Sequence, residues 1–254
     1  MKLAQLRCLL AVTCLFVFGA KQAISGEIRV AVASNFSPAM KNLAEHFEAN
    51  THHKITLIFG STGKHYAQIK HGAPFHAFFA ADVERAKRLE EEGDAIEGSR
   101  FTYAIGHIVL WSPKDNYIDV NGKILNSTKY RHLAIANPKL APYGKAAQEV
   151  LQATQLWSAT QARLVRGENI SQTFQFVKSG NAELGFIAYS QIKKPEQLKQ
   201  KVTGSLWLVP QTLYTPIEQQ AVLLQDNLIA REFLSFVKSE ASQSIIYAHG
   251  YSTP

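Results

Sequence analysis

Two hydrophobic periods alternate along this chain of 254 residues, and the first change of period comes near its start. The segment "EIRVAVA" alternates and then runs apolar, as a buried strand does, whereas "MKNLAEHF" places its apolar residues at helical spacing. Between them lies a small polar corner, Ser34-Asn35, followed by Ser37 as the predicted N-cap and Pro38 as the predicted first helical residue. The pattern therefore predicts a strand, a corner and a helix.

The same order of strand, corner and helix returns along the chain. It is found in "KITLIFGSTGKHYAQIKHG", "FHAFFAADVERAKRLEEEG", "HLAIANPKLAPYGKAAQEVL" and "RLVRGENISQTFQFVKSG". The segments "FTYAIGHIVLWS" and "AELGFIAYSQI" add further strands, and a last amphipathic helix is expected to pack through Leu228, Phe233 and Phe236. Strands that alternate with helices predict a doubly wound α/β fold, with parallel strands and helices on both faces of the sheet.

Four of the strand-to-helix corners carry small, hydroxylic or backbone-exposing residues. They are Ser34-Asn35, Ser61-Thr62, Pro142-Tyr143-Gly144 and Asn169-Ile170. In an open α/β sheet, ligands bind at the carboxyl ends of the strands, where helix N-termini offer unpaired N–H groups and the positive end of a helix dipole. Any one corner taken alone is better explained by helix capping. The four together predict an anion site.

Residues 1–25 have the features of a secretory signal peptide: two early cations, an apolar run too short to span a bilayer, and small residues before the expected cleavage after Ser25. Both cysteines, Cys8 and Cys14, lie in this segment, so the exported chain is expected to lack disulfides and thiol chemistry. Loss of the segment would lower the formal net charge from +7 to +4. This modest charge, without Lys/Arg runs, predicts a soluble exported protein that does not bind nucleic acid.

Common catalytic signatures are missing from the sequence. It contains no GxxxxGK[ST], no GxGxxG after a strand, no HExxH and no GxSxG. The spacing of His65, His71 and His76 does not match a zinc pattern, so we expect surface or packing roles for them and no metal site. Hydroxyls and amide N–H groups without an evident general base suit the reversible binding of an ionised anion better than they suit catalysis.

Five segments resemble the periplasmic molybdate-binding proteins of ABC transporters: "AVASNFSPAMKNLAEHFE", "FGSTGKHYAQIKHGAPFHAFFAAD", "RFTYAIGHIVLWS", "ANPKLAPYGKAAQEVL" and "LGFIAYSQI". The order and spacing of the corner motifs agree over essentially the whole exported chain. The resemblance implies a class II periplasmic-binding-protein fold, with two doubly wound α/β lobes, two strand crossovers and a ligand cleft between the lobes. It places the first lobe at residues 26–103 and 212–254, and the second at residues 104–211.

The resemblance also implies the ligand set. Proteins of this family hold molybdate or tungstate with neutral donors, and the matching positions are Ser34, Asn35, Ser61, Thr62, Tyr143 and Ile170. Tyr143 and Ile170 would act through their main-chain N–H groups, which makes an apolar side chain acceptable at the second of these positions. At the second corner the spacing to neighbouring motifs keeps both Ser61 and Thr62 as candidates, with Thr62 favoured.

One position departs from the family pattern. Many members have a tyrosine, whose hydroxyl contacts the anion, where this chain has Ala188, and Tyr189 would point to the opposite face of the strand. Members that lack the tyrosine have an asparagine at the first corner, as this chain does at Asn35. The resemblance therefore implies that Asn35 replaces the donor missing at Ala188.

The function implied by the resemblance is that of a monomeric periplasmic solute-binding protein. It would capture molybdate or tungstate, deliver the oxyanion to an ABC permease in the inner membrane, and need no cofactor. A binding protein for another oxyanion, such as sulfate or phosphate, is an alternative, and an exported α/β enzyme is a further one. The sequence does not separate molybdate from tungstate, because the two ions have nearly the same size and charge.

Overall fold

Strands and helices alternate along the chain because its apolar residues change period as the sequence predicts. The computed structural model describes residues 25–193 and 203–254, so the predicted signal peptide lies outside the described residues apart from Ser25. The strands are β1 (Glu27–Ala33), β2 (Lys54–Gly60), β3 (Ala77–Ala80), β4 (Phe101–Gly106), β5 (Ile108–Ser112), β6 (Leu133–Ala136), β7 (Leu164–Gly167), β8 (Leu184–Ala188), β9 (Ser205–Leu208) and β10 (Ile217–Leu223). The α-helices are α1 (Ser37–Thr51), α2 (Thr62–Lys70), α3 (Val83–Glu91), α4 (Pro142–Ala153), α5 (Trp157–Thr160), α6 (Ile170–Lys178), α7 (Leu228–Lys238) and α8 (Glu240–Ala248).

The strands form two five-stranded mixed sheets, in the orders β2-β1-β3-β10-β4 and β7-β6-β8-β5-β9. In the first sheet β1 is parallel to β2 and β3, whereas β10 is antiparallel to β3 and β4. In the second sheet β6 is parallel to β7 and β8, whereas β5 is antiparallel to β8 and β9. The prediction of parallel strands is wrong for β5 and β10, because these strands come directly from the other sheet and not through a helical crossover.

The chain passes twice between the sheets, and we call each sheet with its packed helices a lobe. The first passage is His107, between β4 and β5, and the second is the segment 209–216, between β9 and β10. The predicted boundary after residue 103 falls within β4, which stays in the first sheet as far as Gly106. The predicted return at residue 212 falls within the second passage. The division into lobes stays a prediction, and the two passages mark where it would fall.

Apolar side chains between sheets and helices give each lobe its own buried core. Phe233 of α7 is fully buried and Phe236 packs against the same core, as predicted. Leu228 is 71% exposed, contrary to the prediction, because it begins α7 on the solvent side. Within residues 25–193 and 203–254, every helix is too short or too polar to span a bilayer.

The first corner is more compact than predicted. Residues Ser34–Phe36 form a 3-10 turn that runs directly into α1, and α1 begins at Ser37. Ser37 is therefore the first helical residue, and its predicted role as a side-chain N-cap is wrong, since no side chain caps this helix end. The turn leaves Ser34 and Asn35 at the carboxyl end of β1, ahead of the helix.

Candidate functional site

The four predicted corners meet in one cavity between the lobes. The cavity is lined by Ala33, Ser34, Asn35, Gly60, Ser61, Thr62, Ala81, Ala141, Pro142, Tyr143, Asn169 and Ile170. All six residues predicted to bind the ligand belong to this set, and each is at most 5% exposed. The corners at residues 34–35 and 61–62 come from the first lobe, and those at 142–143 and 169–170 come from the second. The cavity thus depends on the lobes being together.

Three α-helices begin at this cavity: α2 at Thr62, α4 at Pro142 and α6 at Ile170. The first N–H groups of an α-helix have no acceptor within the helix. Helix geometry therefore leaves the N–H groups of Thr62, Tyr143 and Ile170 free of intrahelical bonds at the cavity wall. The three helices also bring the positive ends of their dipoles to one place, which favours an anion.

The two hydroxyls of the second corner differ in what they contact. The Thr62 Oγ1 atom accepts a hydrogen bond from the main-chain N–H of Ala81 at 3.1 Å. The Ser61 side chain is 3% exposed, precedes α2 without capping it, and its Oγ has no hydrogen-bond partner among the described residues. A buried hydroxyl without a partner is unfavourable, so Ser61 has both its donor and its acceptor capacity unused, whereas Thr62 Oγ1 is engaged as an acceptor and keeps its own hydrogen.

The side chain of Asn35 faces a different set of partners. Its Nδ2 atom donates to Oε1 of Gln219 at 2.6 Å and to Oη of Tyr251 at 3.2 Å. Both amide hydrogens therefore have acceptors within the protein. Ala188 is fully buried at the end of β8 and is not one of the residues that line the cavity. The role of Asn35 as the replacement donor stays a prediction, and it would require one of these hydrogen bonds to be exchanged for one to the ligand.

A buried polar cluster that the sequence analysis did not predict lies beside Asn35. Gln219 Oε1 also accepts from Oη of Tyr103 at 3.2 Å, and Oη of Tyr251 lies 2.9 Å from Oγ of Ser190. Burial raises the pKa of Tyr103 and of Tyr251, so both phenols stay neutral hydrogen-bond donors. The feature of the sequence that could have indicated this cluster is the pair of glutamines in the mostly apolar β10.

Tyr143 contributes more than a main-chain group to this region. Its side chain is 1% exposed, and its hydroxyl lies beside the Asn35 amide without making a well-formed hydrogen bond. The hydroxyl also packs against Gly106, where a Cβ atom would overlap it. Gly106 is the last residue of β4, next to the first passage between the lobes, so glycine allows the phenol to sit against the connection.

Hydrogen bonds join the two lobes around the cavity. Ser171 Oγ donates to the Ser34 carbonyl at 3.1 Å, Ser190 Oγ to the Asn35 carbonyl at 3.1 Å, Gly63 N to the Leu140 carbonyl at 2.9 Å, and Arg85 Nη2 to the Lys139 carbonyl at 3.0 Å. An exposed ion pair between Lys64 and Glu168, 3.3 Å long, also crosses the cleft. These contacts hold the lobes in a closed arrangement.

Within the described part of the chain, the residues that line the cavity carry no charged side chain. The ion pair of Asp82 with Arg85 lies beyond Ala81, in a larger cleft that Lys145 and Glu149 also line. Burial raises the pKa of the Asp82 carboxyl, and the Arg85 guanidinium opposes that shift. An anion in the smaller cavity would therefore meet only hydroxyls, N–H groups and helix dipoles.

The histidines that the sequence analysis weighed lie in separate environments. His65 is buried, with Nε2 3.2 Å from the Val32 carbonyl and Nδ1 3.1 Å from Gln68 Oε1. Burial lowers the pKa of His65, so the neutral ring is favoured. His71 Nδ1 contacts the Ala67 carbonyl, and His76 Nδ1 accepts from Arg29 N. No group of three or more His, Cys, Asp or Glu residues suited to a metal ion occurs in the part of the chain that the structure describes.

Comparison with known proteins gives one consistent result. A family model described as bacterial extracellular solute-binding protein matches residues 28–252. The molybdate-binding protein ModA of Azotobacter vinelandii is 48% identical over 230 residues, which cover 89% of this chain and 90% of that protein. ModA of Rhodobacter capsulatus is 44% identical over 234 residues, 91% of this chain and 90% of the relative. The solved structure of the Azotobacter vinelandii periplasmic molybdate-binding protein matches with a TM-score of 0.86 at 40% identity, covering 89% of this chain and 99% of the other.

Proposed function

The chain belongs to the molybdate-binding ModA family of bacterial extracellular solute-binding proteins, and we propose that it captures molybdate or tungstate between its lobes. The observation that carries this proposal is the convergence of all six predicted ligand residues on one buried cavity without charged side chains. Ser34, Asn35 and Ser61 would contact the oxyanion from the first lobe, together with the main-chain N–H of Thr62. The main-chain N–H groups of Tyr143 and Ile170 would contact it from the second.

The donor set suits a fully ionised tetrahedral oxyanion. Such a dianion has four acceptor oxygens and no hydrogen, and each charge-assisted hydrogen bond to it is worth about 1.5–3 kcal/mol. A site of donors alone disfavours monoprotonated phosphate, because its P–OH group would find no acceptor. Sulfate has the same charge and geometry as molybdate, so discrimination against it must come from a cavity that closure fixes at the larger size.

The geometry of the cavity favours neither of the alternatives, a binding protein for another oxyanion or an exported enzyme. A site for a sulfate or phosphate ion would use the same donors, and no separate feature of the cavity favours the smaller ions. An enzyme that used one of the serine or threonine hydroxyls as a nucleophile would need a general base beside it, whereas the other side chains that reach the cavity are amides, a phenol and apolar groups. We therefore propose a binding protein without catalytic activity and without a cofactor.

Capture of the oxyanion would be the first step of import. The Azotobacter vinelandii protein of known structure is a periplasmic molybdate-binding protein, and we infer the same compartment for this chain and delivery to an ABC permease in the inner membrane. The protein would act as a monomer, because both halves of the cavity come from one chain. Tungstate would bind through the same contacts as molybdate, since the two ions nearly match in size and charge.

Isothermal titration calorimetry on the exported chain tests the proposal. Molybdate and tungstate should each bind with one-to-one stoichiometry at micromolar concentration or below, and a large excess of sulfate or phosphate should not displace them. Absence of heat with both metal oxyanions would refute the proposal. Equal affinity for sulfate would show a general oxyanion-binding protein instead.

A further inference from the structure

We propose that Ser171 and Ser190 of the second lobe set how long the bound oxyanion is held, although neither lines the cavity. This inference rests on the proposed function and adds two positioning residues to it. Both hydroxyls reach across the cleft to main-chain carbonyls of the first corner, the turn that holds Ser34 and Asn35. The two serines therefore bind the main-chain carbonyls of the same turn whose residues Ser34 and Asn35 line the cavity.

The geometry of the peptide unit links the carbonyl that Ser171 binds to an N–H group of the same turn. Ser171 Oγ donates to the carbonyl oxygen of Ser34 at 3.1 Å, and this carbonyl shares a peptide unit with the N–H of Asn35. Because a trans peptide is planar, its C=O and N–H point in opposite directions and cannot rotate independently. A hydrogen bond on the carbonyl fixes the direction of that N–H. It also polarises the peptide, which strengthens a bond that the N–H makes to an anion.

The second contact is part of a closed ring of hydrogen bonds. Asn35 Nδ2 donates to Tyr251 Oη at 3.2 Å, and Ser190 Oγ donates to the Asn35 carbonyl at 3.1 Å. The Tyr251 hydroxyl lies 2.9 Å from Ser190 Oγ and 2.8 Å from the same carbonyl, and its one hydrogen closes the ring when it is donated to Ser190. Asn35 is 1% exposed, Ser190 is 3% and Tyr251 is 2%, so the ring is shielded from water. It begins and ends on the corner residue Asn35 and passes through the second lobe only at Ser190.

Opening of the cleft would break both serine contacts. The donors belong to the second lobe, Ser171 in the first turn of α6 and Ser190 directly after β8, while the carbonyls belong to the first lobe. An oxyanion enters before these bonds form and leaves only after they break. Loss of either hydroxyl should therefore raise the dissociation rate of the ligand and leave its association rate unchanged.

The test compares Ser171→Ala and Ser190→Ala with the wild type. Bound molybdate is chased with excess tungstate, and the molybdenum retained on the protein is measured over time by mass spectrometry. Calorimetry gives the dissociation constant, and the two values together give the association rate. We expect the dissociation rate to rise about 5- to 10-fold in each variant, the loss typical of one buried hydrogen bond, with an unchanged association rate. Ser171→Thr, which keeps the hydroxyl, should stay near the wild type.

Ser179→Ala is the matched control, because Ser179 ends the same helix as Ser171 and its exposed hydroxyl bonds only within that helix and to Asn181. It should release molybdate at the wild-type rate. The inference is overturned if Ser171→Ala and Ser190→Ala also release molybdate at that rate, or if they only lower the melting temperature of the unliganded protein. Wild-type protein that retains no molybdate would instead refute the proposed function, which separates the two failures.

Discussion

Replacement of Ser61 by alanine should weaken oxyanion binding without weakening the fold. Its Oγ atom has no hydrogen-bond partner among the described residues, so the variant loses no intramolecular hydrogen bond. In the complex the same hydroxyl would donate to a dianion, a bond worth about 1.5–3 kcal/mol. We expect the dissociation constant to rise about 10- to 150-fold, since each 1.4 kcal/mol is a factor of ten.

Replacement of Thr62 by valine should have the opposite profile. The valine side chain keeps the volume of threonine but removes Oγ1, which accepts the Ala81 N–H at 3.1 Å in a buried setting. An N–H left without an acceptor destabilises the fold by about 1–3 kcal/mol. The main-chain N–H of Thr62, at the start of α2, is unchanged by the substitution, so affinity for molybdate should fall much less than in Ser61→Ala.

Two measurements separate these expectations. Urea denaturation of the unliganded protein reports the fold, and calorimetry with molybdate reports the site. The reasoning is refuted if Thr62→Val loses tenfold or more in affinity at unchanged stability while Ser61→Ala binds like the wild type. That result would make Thr62 the direct ligand, as the spacing of the sequence motifs favours.

Two further predictions concern Gly106, which packs against Tyr143, and the buried His65. Gly106→Ala should destabilise the protein by about 1–3 kcal/mol in urea denaturation, because a Cβ would overlap the Tyr143 hydroxyl. Tyr143→Phe should leave molybdate affinity unchanged and restore part of that stability in the double variant, and additive losses would contradict the contact. Burial lowers the pKa of His65, so the unfolded chain binds more protons and the free energy of unfolding should fall as pH drops below about 6.5. His65→Gln should make the free energy of unfolding depend less on pH in that range. A smaller dependence from His107 should remain, because burial also lowers the pKa of that residue. A profile identical to that of the wild type would contradict the assignment to His65.

Local sequence patterns were sufficient to predict the corners. Ser34, Ser61, Tyr143 and Ile170 all lie at strand-to-helix junctions, where a change of hydrophobic period marks the place. Their meeting in one cavity follows from the general rule that ligand sites form at the carboxyl ends of the strands in α/β folds. The mixed sheets were not predicted, because the hydrophobic period of a strand such as β10 is the same in either direction.

The cluster behind the site could not be predicted in this way. Asn35, Ser190, Gln219 and Tyr251 are brought together from four elements, and the hydrogen bonds of Asn35 to Gln219 and Tyr251 join residues 184 and 216 positions apart. A serine or glutamine in a sequence gives no sign of which distant carbonyl or amide it will contact. Only the two passages between the sheets, which bring β10 and the C-terminal residues back to the first lobe, create that neighbourhood.

The placement of Asn35 suggests how an asparagine at the first corner could act when the tyrosine, which many members of the family have at the position of Ala188, is missing. An asparagine whose amide hydrogens are both bound to Gln219 and Tyr251 is held rigidly, and the turn that contains it is held with it. If this turn is already ordered before the anion binds, little conformational entropy is lost on binding. More of the free energy of its N–H hydrogen bonds then contributes to affinity. In the proposed site, Asn35 would therefore offset a missing side-chain donor by orienting its own peptide units, without itself donating to the oxyanion from its side chain. Gln219→Leu, which removes the Oε1 acceptor for Asn35, should then weaken molybdate binding because the turn is held less rigidly, whereas a direct amide donor would be released and bind more tightly in that variant.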